Sequence, residues 1–158
     1  MTTSAGHQLA QVNIARLLAP IDSPQLAGFV AALDPVNALA DRADGFVWRL
    51  VEGESGNATA LRIFGDDWML VNMSVWRDPA ALEAYVYSEE HRAVLRRRRE
   101  WFEKPAEAMT ALWWVPAGHR PTGAEAEQRL VTLRSKGPTA EAFTLRETFP
   151  APDARSGS

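Results

Sequence analysis

Apolar and polar residues first alternate regularly at Gln8–Ile14. Val12 and Ile14 share one side there, and Gln11 and Asn13 share the other. That period of two marks a strand with two different faces. Ser23-Pro24 then gives a helix start, with a serine cap and proline at the first helical position. Leu26, Phe29, Val30 and Leu33 supply its apolar stripe, and Asp34-Pro35 repeats the start signal. The pattern predicts a break at that point and a restart towards Ala43, with Gly45 as the stop. Phe46–Val51 reads as a second strand, 52–57 as a polar turn, and 59–64 as a short strand. Trp68–Trp76 is the clearest strand: Met69, Val71, Met73 and Val75 face one way, and Leu70, Asn72, Ser74 and Trp76 the other.

Asp78-Pro79 opens a helix to about Tyr87, and Ser88-Glu89-Glu90 opens another to about Glu103, its acidic first turn matching the helix dipole. Met109–Val115 is the last firm strand. Thr122 and Glu125 have capping-box spacing, and Gly137-Pro138 ends the helix they open. Phe143–Phe149 reads as a short terminal strand or an extended arm. The order is β-α-β-(β)-β-α-α-β-α, whose core is the split βαβ arrangement of a ferredoxin-like α+β domain. This predicts an antiparallel βαββαβ sheet with helices on one face, forming a single domain over 8–149 with flexible termini at 1–7 and 150–158. The bare face needs a cover, and a second copy of the same sheet is the simplest one, so a homodimer is expected.

Composition narrows the function classes. The net charge of −3 lacks the basic excess of a nucleic-acid binder. With no cysteine, disulfides, thiolate nucleophiles and thiolate-ligated zinc are excluded. No apolar run reaches the roughly 20 residues of a membrane span. No signal-peptide pattern precedes His7, so the cytoplasm is the expected location. Six tryptophans in 158 residues suggest a pocket or interface as well as a core.

Two polar residues stand out on the helix expected over Tyr87–Phe102. On a wheel of about 100° per residue, Tyr87, His91, Val94, Leu95, Arg98, Trp101 and Phe102 fall within an arc of roughly 120°. The expectation is that Arg96 and Arg99 face water, pairing with Glu100 and Glu103, while Arg98 sits among aromatics and needs a carboxylate, a set of carbonyls or an anionic ligand. His91 is either a hydrogen-bonded core histidine or a general base or metal ligand.

The polar strand faces form the second constellation. Gln11 and Asn13 match Asn72 and Ser74, and Trp76, Trp48, Trp113 or Trp114 lie nearby. Open solvent exposure explains the amides alone; amides mixed with large aromatics read as a cavity wall. Asn13, Trp48, Asn72, Ser74, Trp76, Tyr87 and Trp113 are therefore the expected ligand-binding residues, with His91 and Arg98 as catalytic candidates. The histidines have no metal-ligand spacing, and no metal site or Gly-rich phosphate loop is expected. Gly53-Glu54-Ser55-Gly56 lacks the nucleophile-elbow spacing.

Six stretches carry a family resemblance: 9–16 (LAQVNIAR), 45–50 (GFVWRL), 70–76 (LVNMSVW), 85–91 (YVYSEEH), 97–102 (RRREWF) and 112–121 (LWWVPAGHRP). Together they resemble a bacterial family known as domain of unknown function 3291. That family is similar to the dimeric α/β-barrel superfamily, which includes antibiotic-biosynthesis and haem-degrading monooxygenases, chlorite-dismutase-like proteins, muconolactone isomerases and polyketide cyclases. The resemblance implies a fold and a small-molecule site, and His91 matches a histidine common at that position. It carries no general activity. The resulting expectation is a small-molecule-binding protein, either a cofactor-independent monooxygenase- or isomerase-like enzyme, or a haem protein with His91 or His119 as axial ligand, or a non-catalytic binding or structural module. No cofactor is expected in the first of these.

Overall fold

Val12 and Ile14 alternate with Gln11 and Asn13 because the strand that carries them lies at the centre of a sheet with different surroundings above and below. The computed structural model describes residues 6–50, 64, 66 and 68–152. The turn expected at 52–57, the Gly-x-Ser-Gly string and all but the last residue of the strand expected at 59–64 lie outside them, as do residues 1–5 and 153–158 of the expected flexible termini. Strands β1 (His7–Arg16), β2 (Phe46–Arg49), β3 (Met69–Trp76) and β4 (Thr110–Pro116) form one sheet in the order β2-β3-β1-β4. Every neighbouring pair is antiparallel. With helix α1 (Ala27–Arg42) after β1 and α2 (Pro79–Val86), α3 (Glu89–Arg96) and α4 (Arg98–Trp101) after β3, this is the expected βαββαβ connectivity.

Helices α1 to α4 lie on one face. Near one end of that face, Leu9, Trp76 and Leu112 pack with Ala40 of α1 and Ala81 and Leu82 of α2. Near the other, Leu70 meets Leu17, Leu26, Phe29 and Trp101. The opposite face carries Ala10, Val12, Ile14, Val71, Met73, Val75, Ala111, Trp113 and Val115. It is covered by a fifth helix, α5 (Gly123–Lys136), through Ala126, Leu130 and Leu133. Phe64 docks there too, its backbone N–H donating to the Glu127 carboxylate at 2.8 Å and the Arg134 guanidinium lying 4.8 Å from its ring. The face for which a second copy was the simplest expected cover is thus packed against the chain's own C-terminal helix.

Local chemistry sets the element ends. Asp78 caps α2 by accepting from Ala81 N at 2.9 Å, Ser88 caps α3 by accepting from His91 N at 3.3 Å, and Thr122 caps α5 by accepting from Glu125 N at 3.2 Å. The break expected at Pro35 does not occur, and α1 is continuous. Pro35 and Ala31, whose carbonyl loses its helical donor, are both exposed, so water replaces the missing bond. Beyond α5, the chain meets the outer edge of β4 at Phe143 and then turns back at Thr144–Glu147, so 143–149 is neither the expected strand nor an extended arm. Phe143 and Leu112 exchange backbone hydrogen bonds of 2.8 and 2.9 Å, and the Trp114 indole donates to the Phe149 carbonyl at 2.8 Å.

The helix expected from Ser88 to Glu103 is two pieces. Arg97 (φ −99°, ψ 6°) leaves the α region between them. The reset delivers Trp101 into the apolar cluster, with its ring centroid 5.4 Å from that of Phe29. Arg97 makes two hydrogen bonds of 3.0 Å to Glu100 and lies 4.9 Å over Trp101, beside Gly28. The expected Arg96–Glu100 and Arg99–Glu103 pairs are therefore replaced by Arg96–Glu89 and Arg97–Glu100.

The turn from α1 into β2 depends on Gly45, whose φ is +86° and where a Cβ would stand 2.5 Å from the Ala81 Cβ. Gly137 also has positive φ (+76°) but opens onto free space. Gly137→Ala is expected to cost only the backbone term, roughly 1–3 kcal/mol, because φ +76° with ψ −176° is a conformation open essentially to glycine alone. Gly45→Ala adds a steric clash and is expected to cost more than that, as read from paired urea denaturation curves.

Candidate functional site

The register places the polar residues together. Gln11 pairs across β1 with Ser74, Asn13 with Asn72, and on the other side Asn13 with Thr110. All five side chains project to the helix-covered face, between the two apolar clusters. They bond to one another. Gln11 Nε2 donates to Asn72 Oδ1 at 3.1 Å and to Ser74 Oγ at 3.0 Å. Ser74 Oγ also accepts from Trp76 Nε1 at 2.8 Å, and Asn13 Nδ2 donates to Thr110 Oγ1 at 2.6 Å. Gln11 and Ser74 are each 7 % exposed. Asn13 and Asn72, in contrast, are exposed although they lie on inner strands beneath the helix layer. Solvent therefore reaches the middle of the sheet between its two apolar anchors, over a floor of uncharged amides and hydroxyls.

An aromatic column leads from this floor to His91. The Tyr85 ring stacks on Trp76 with centroids 5.1 Å apart, and the His91 ring is 5.0 Å from Tyr85. Burial pushes the Tyr85 phenol up to about 12, so it stays protonated at neutral pH. Its hydroxyl donates to the Val36 carbonyl of α1 at 3.3 Å. A shallow cleft of about 400 Å³ between the end of α1 and α2 has Tyr85 in its wall, with Arg42, Asp44, Arg77 and Ser88. It includes none of the five floor residues.

The other expected site residues divide. Trp76 shares the face with Asn72 but is only 1 % exposed, so it supports the floor and does not line an open cavity. Trp48 and Trp113 are on the opposite face, in the cluster beneath α5. A bulge between Phe46 and Trp48 sets Trp48 against Val75, and Trp113 pairs with Ala10. Tyr87 is 59 % exposed at the end of α2. Arg98 is exposed as well, because the break at Arg97 turns it out of the expected stripe, and it donates to its own Leu95 carbonyl at 2.7 Å. It needs no buried anion. Tyr85 and Thr110 were not among the expected site residues. Thr110 is signalled only by its register opposite Asn13.

His119, expected as a plain turn residue or haem ligand, has its Nε2 2.7 Å from Glu125 Oε1, while Glu125 Oε2 accepts from Trp113 Nε1 at 2.8 Å. Burial raises the Glu125 carboxyl, but the bonds from His119 and Trp113 outweigh this and hold it below its ordinary range. The arrangement ties the 116–121 loop to α5. Among the described residues no group of three or more metal-ligating side chains is present, and no helix is long and apolar enough to cross a membrane.

His91 Nδ1 is 3.1 Å from the Val86 carbonyl, so that nitrogen carries the proton and Nε2 keeps its lone pair. Burial lowers the His91 pKa from its ordinary value of 6.5, and the Val86 bond offsets this only in part. The unfolded chain therefore binds the proton more readily than the folded one. Stability contributed by neutral His91 is present above pH 6.5 and is lost as the pH falls from there through the lowered folded value. Urea denaturation from about pH 7.5 down to about pH 5 is expected to show this slope in the wild type. His91→Leu is expected to lack that component.

No curated protein matches the chain. Among solved structures, it is similar to SnoaB, a cofactor-independent oxygenase from Streptomyces nogalater: 19 % identity, TM-score 0.46, covering 73 % of this chain and 95 % of that one. A conserved protein from Methanosarcina mazei Go1 matches at 11 % identity and TM-score 0.49, covering 72 % and 95 %. NE2512, a protein of unknown function from Nitrosomonas europaea, matches at 15 % identity and TM-score 0.46, covering 75 % and 98 %. The family model described as "Domain of unknown function (DUF3291)" matches residues 8–157, nearly the whole sequence, and the chain belongs to that family.

Proposed function

We propose that the chain binds a small, uncharged, oxygen-bearing organic molecule over the floor formed by Asn13 and Asn72. One observation carries this reading: two amides on inner strands are open to solvent beneath a helix layer that is apolar at both ends of the same face. A face covered only for stability would place apolar residues there, because polar groups gain nothing from being roofed by apolar helices. The five floor side chains carry no formal charge, so the site suits carbonyl and hydroxyl groups better than carboxylates or phosphates.

The finer reading is a cofactor-independent enzyme of monooxygenase or isomerase type. Asn72 would hold an oxygen that gains negative charge in the transition state, and His91, beyond the Trp76–Tyr85 stack, would supply the base only to a substrate that reaches past Tyr85. Arg98, outside the site, has no part in this scheme.

The binding reading is tested by ligand-observed NMR with a panel of neutral aromatic ketones and phenols, alongside matched carboxylates. Neutral members are expected to bind, and to lose affinity by about tenfold in Asn72→Leu and Asn13→Leu, equivalent to about one hydrogen bond each. Affinity unchanged in both variants, with the fold intact by circular dichroism, would place the binding elsewhere and overturn the proposal.

A further inference from the structure

We propose that Gln11 is a positioning residue: it turns the N–H groups of Asn72 towards the solvent over the polar floor, so that the bound molecule must present a hydrogen-bond acceptor, a carbonyl-type oxygen, at that point. The inference rests on the small-molecule reading above and says which end of Asn72 the ligand meets.

One group in the network cannot be reversed, and Gln11 is assigned around it. The Trp76 indole N–H is a donor only, and it is buried, so its partner at 2.8 Å, Ser74 Oγ, must accept. Gln11 Nε2 also approaches Ser74 Oγ, at 3.0 Å, and its second hydrogen reaches Asn72 Oδ1 at 3.1 Å. Both Gln11 N–H donors are then used, and at 7 % exposure the side chain cannot exchange these partners for bulk water. The Asn72 carbonyl oxygen is engaged from below, and what remains for a bound molecule is its exposed NH2 group. Asn13 complements it from the next strand: one of its N–H groups is bound to Thr110 Oγ1 at 2.6 Å, which leaves Asn13 Oδ1 open. The floor therefore offers donors on β3 and an acceptor on β1. The reversed arrangement, with the Gln11 carbonyl accepting from Ser74 and Asn72, would present the Asn72 oxygen instead. The two arrangements differ in which amide protons are buried.

Two measurements on the full chain decide between them. The first needs no variant. In 15N-labelled protein, the Gln11 Nε2 protons are expected to exchange slowly with water and the Asn72 Nδ2 protons quickly, with the Asn72 pair identified by its disappearance in Asn72→Asp. Gln11 protons that exchange as fast as those of a free glutamine side chain overturn the inference. The second uses two probes of matched shape, 2-acetylnaphthalene and 2-ethylnaphthalene, which differ by a carbonyl oxygen. The wild type is expected to prefer the ketone by about three- to tenfold. In Gln11→Met, which keeps the length of the side chain but removes its polar atoms, the preference is expected to fall to about one while the hydrocarbon binds as before. A ketone preference that survives in folded Gln11→Met overturns the inference. If neither probe binds the wild type but Gln11 is protected and Asn72 is not, the small-molecule reading is what fails and the positioning role of Gln11 stands.

Discussion

Uncharged polar side chains at the middle of a helix-covered sheet impose the constraint on which the rest of this structure depends. Gln11, Asn13, Asn72, Ser74 and Thr110 cannot be roofed by apolar helix surface without losing hydrogen bonds that water or a partner would otherwise make. The network satisfies Gln11 and Ser74 internally, through each other and Trp76. It does not fully satisfy Asn13 or Asn72. The helix layer accordingly anchors at the two ends of the face. Leu9, Trp76 and Leu112 receive Ala40, Ala81 and Leu82 at one end, and Leu70 receives the Leu26, Phe29 and Trp101 cluster at the other.

The second anchor explains why the chain interrupts a helix between Arg96 and Arg98. A tryptophan buried to 1 % exposure is a large apolar contribution, of the order of 2–3 kcal/mol or more, and its tilted contact with the Phe29 ring adds to it. That exceeds the cost of the single nonhelical residue needed to aim it. Arg97 stands at the joint and turns it to use, pairing with Glu100 and covering Trp101, while the absence of a side chain at Gly28 leaves room for its guanidinium. The run of four arginines is thus a structural joint flanked by solvated charges.

Much of this was legible in the sequence. Period two in β1 and β3, the Ser-Pro and Asp-Pro starts, and the Ser88 and Thr122 caps located the elements, because those signals are local. Asn13, Asn72 and Ser74 were found together because alternation alone assigns them to one face of their strands. What failed was phase. The wheel that buried Arg98 assumed an unbroken helix, and Arg97 shows no composition that marks a break. Trp48 was assigned to the wrong face because the bulge beside it shifts the register by a residue. Trp113 and Trp114 are adjacent and must point oppositely, yet only the pairing with Ala10 and Leu9 says which is which. Pro35 stayed inside α1 because its position on the exposed side leaves the orphaned carbonyl in water, a fact of tertiary structure.

The placement of α5 bears most directly on function. An amphipathic helix does not name the surface it will cover, and the sequence left the second sheet face bare, to be closed by another copy. Leu130 and Leu133 close it from within, held by the Glu125 contacts to Trp113 and His119. The sheet is therefore buried on its apolar side by the same chain whose polar side stays open. The polar floor takes its amides, its Gln11 support and its apolar anchors from strands whose register fixes their spacing, which is the condition under which a side-chain amide can be held in one orientation.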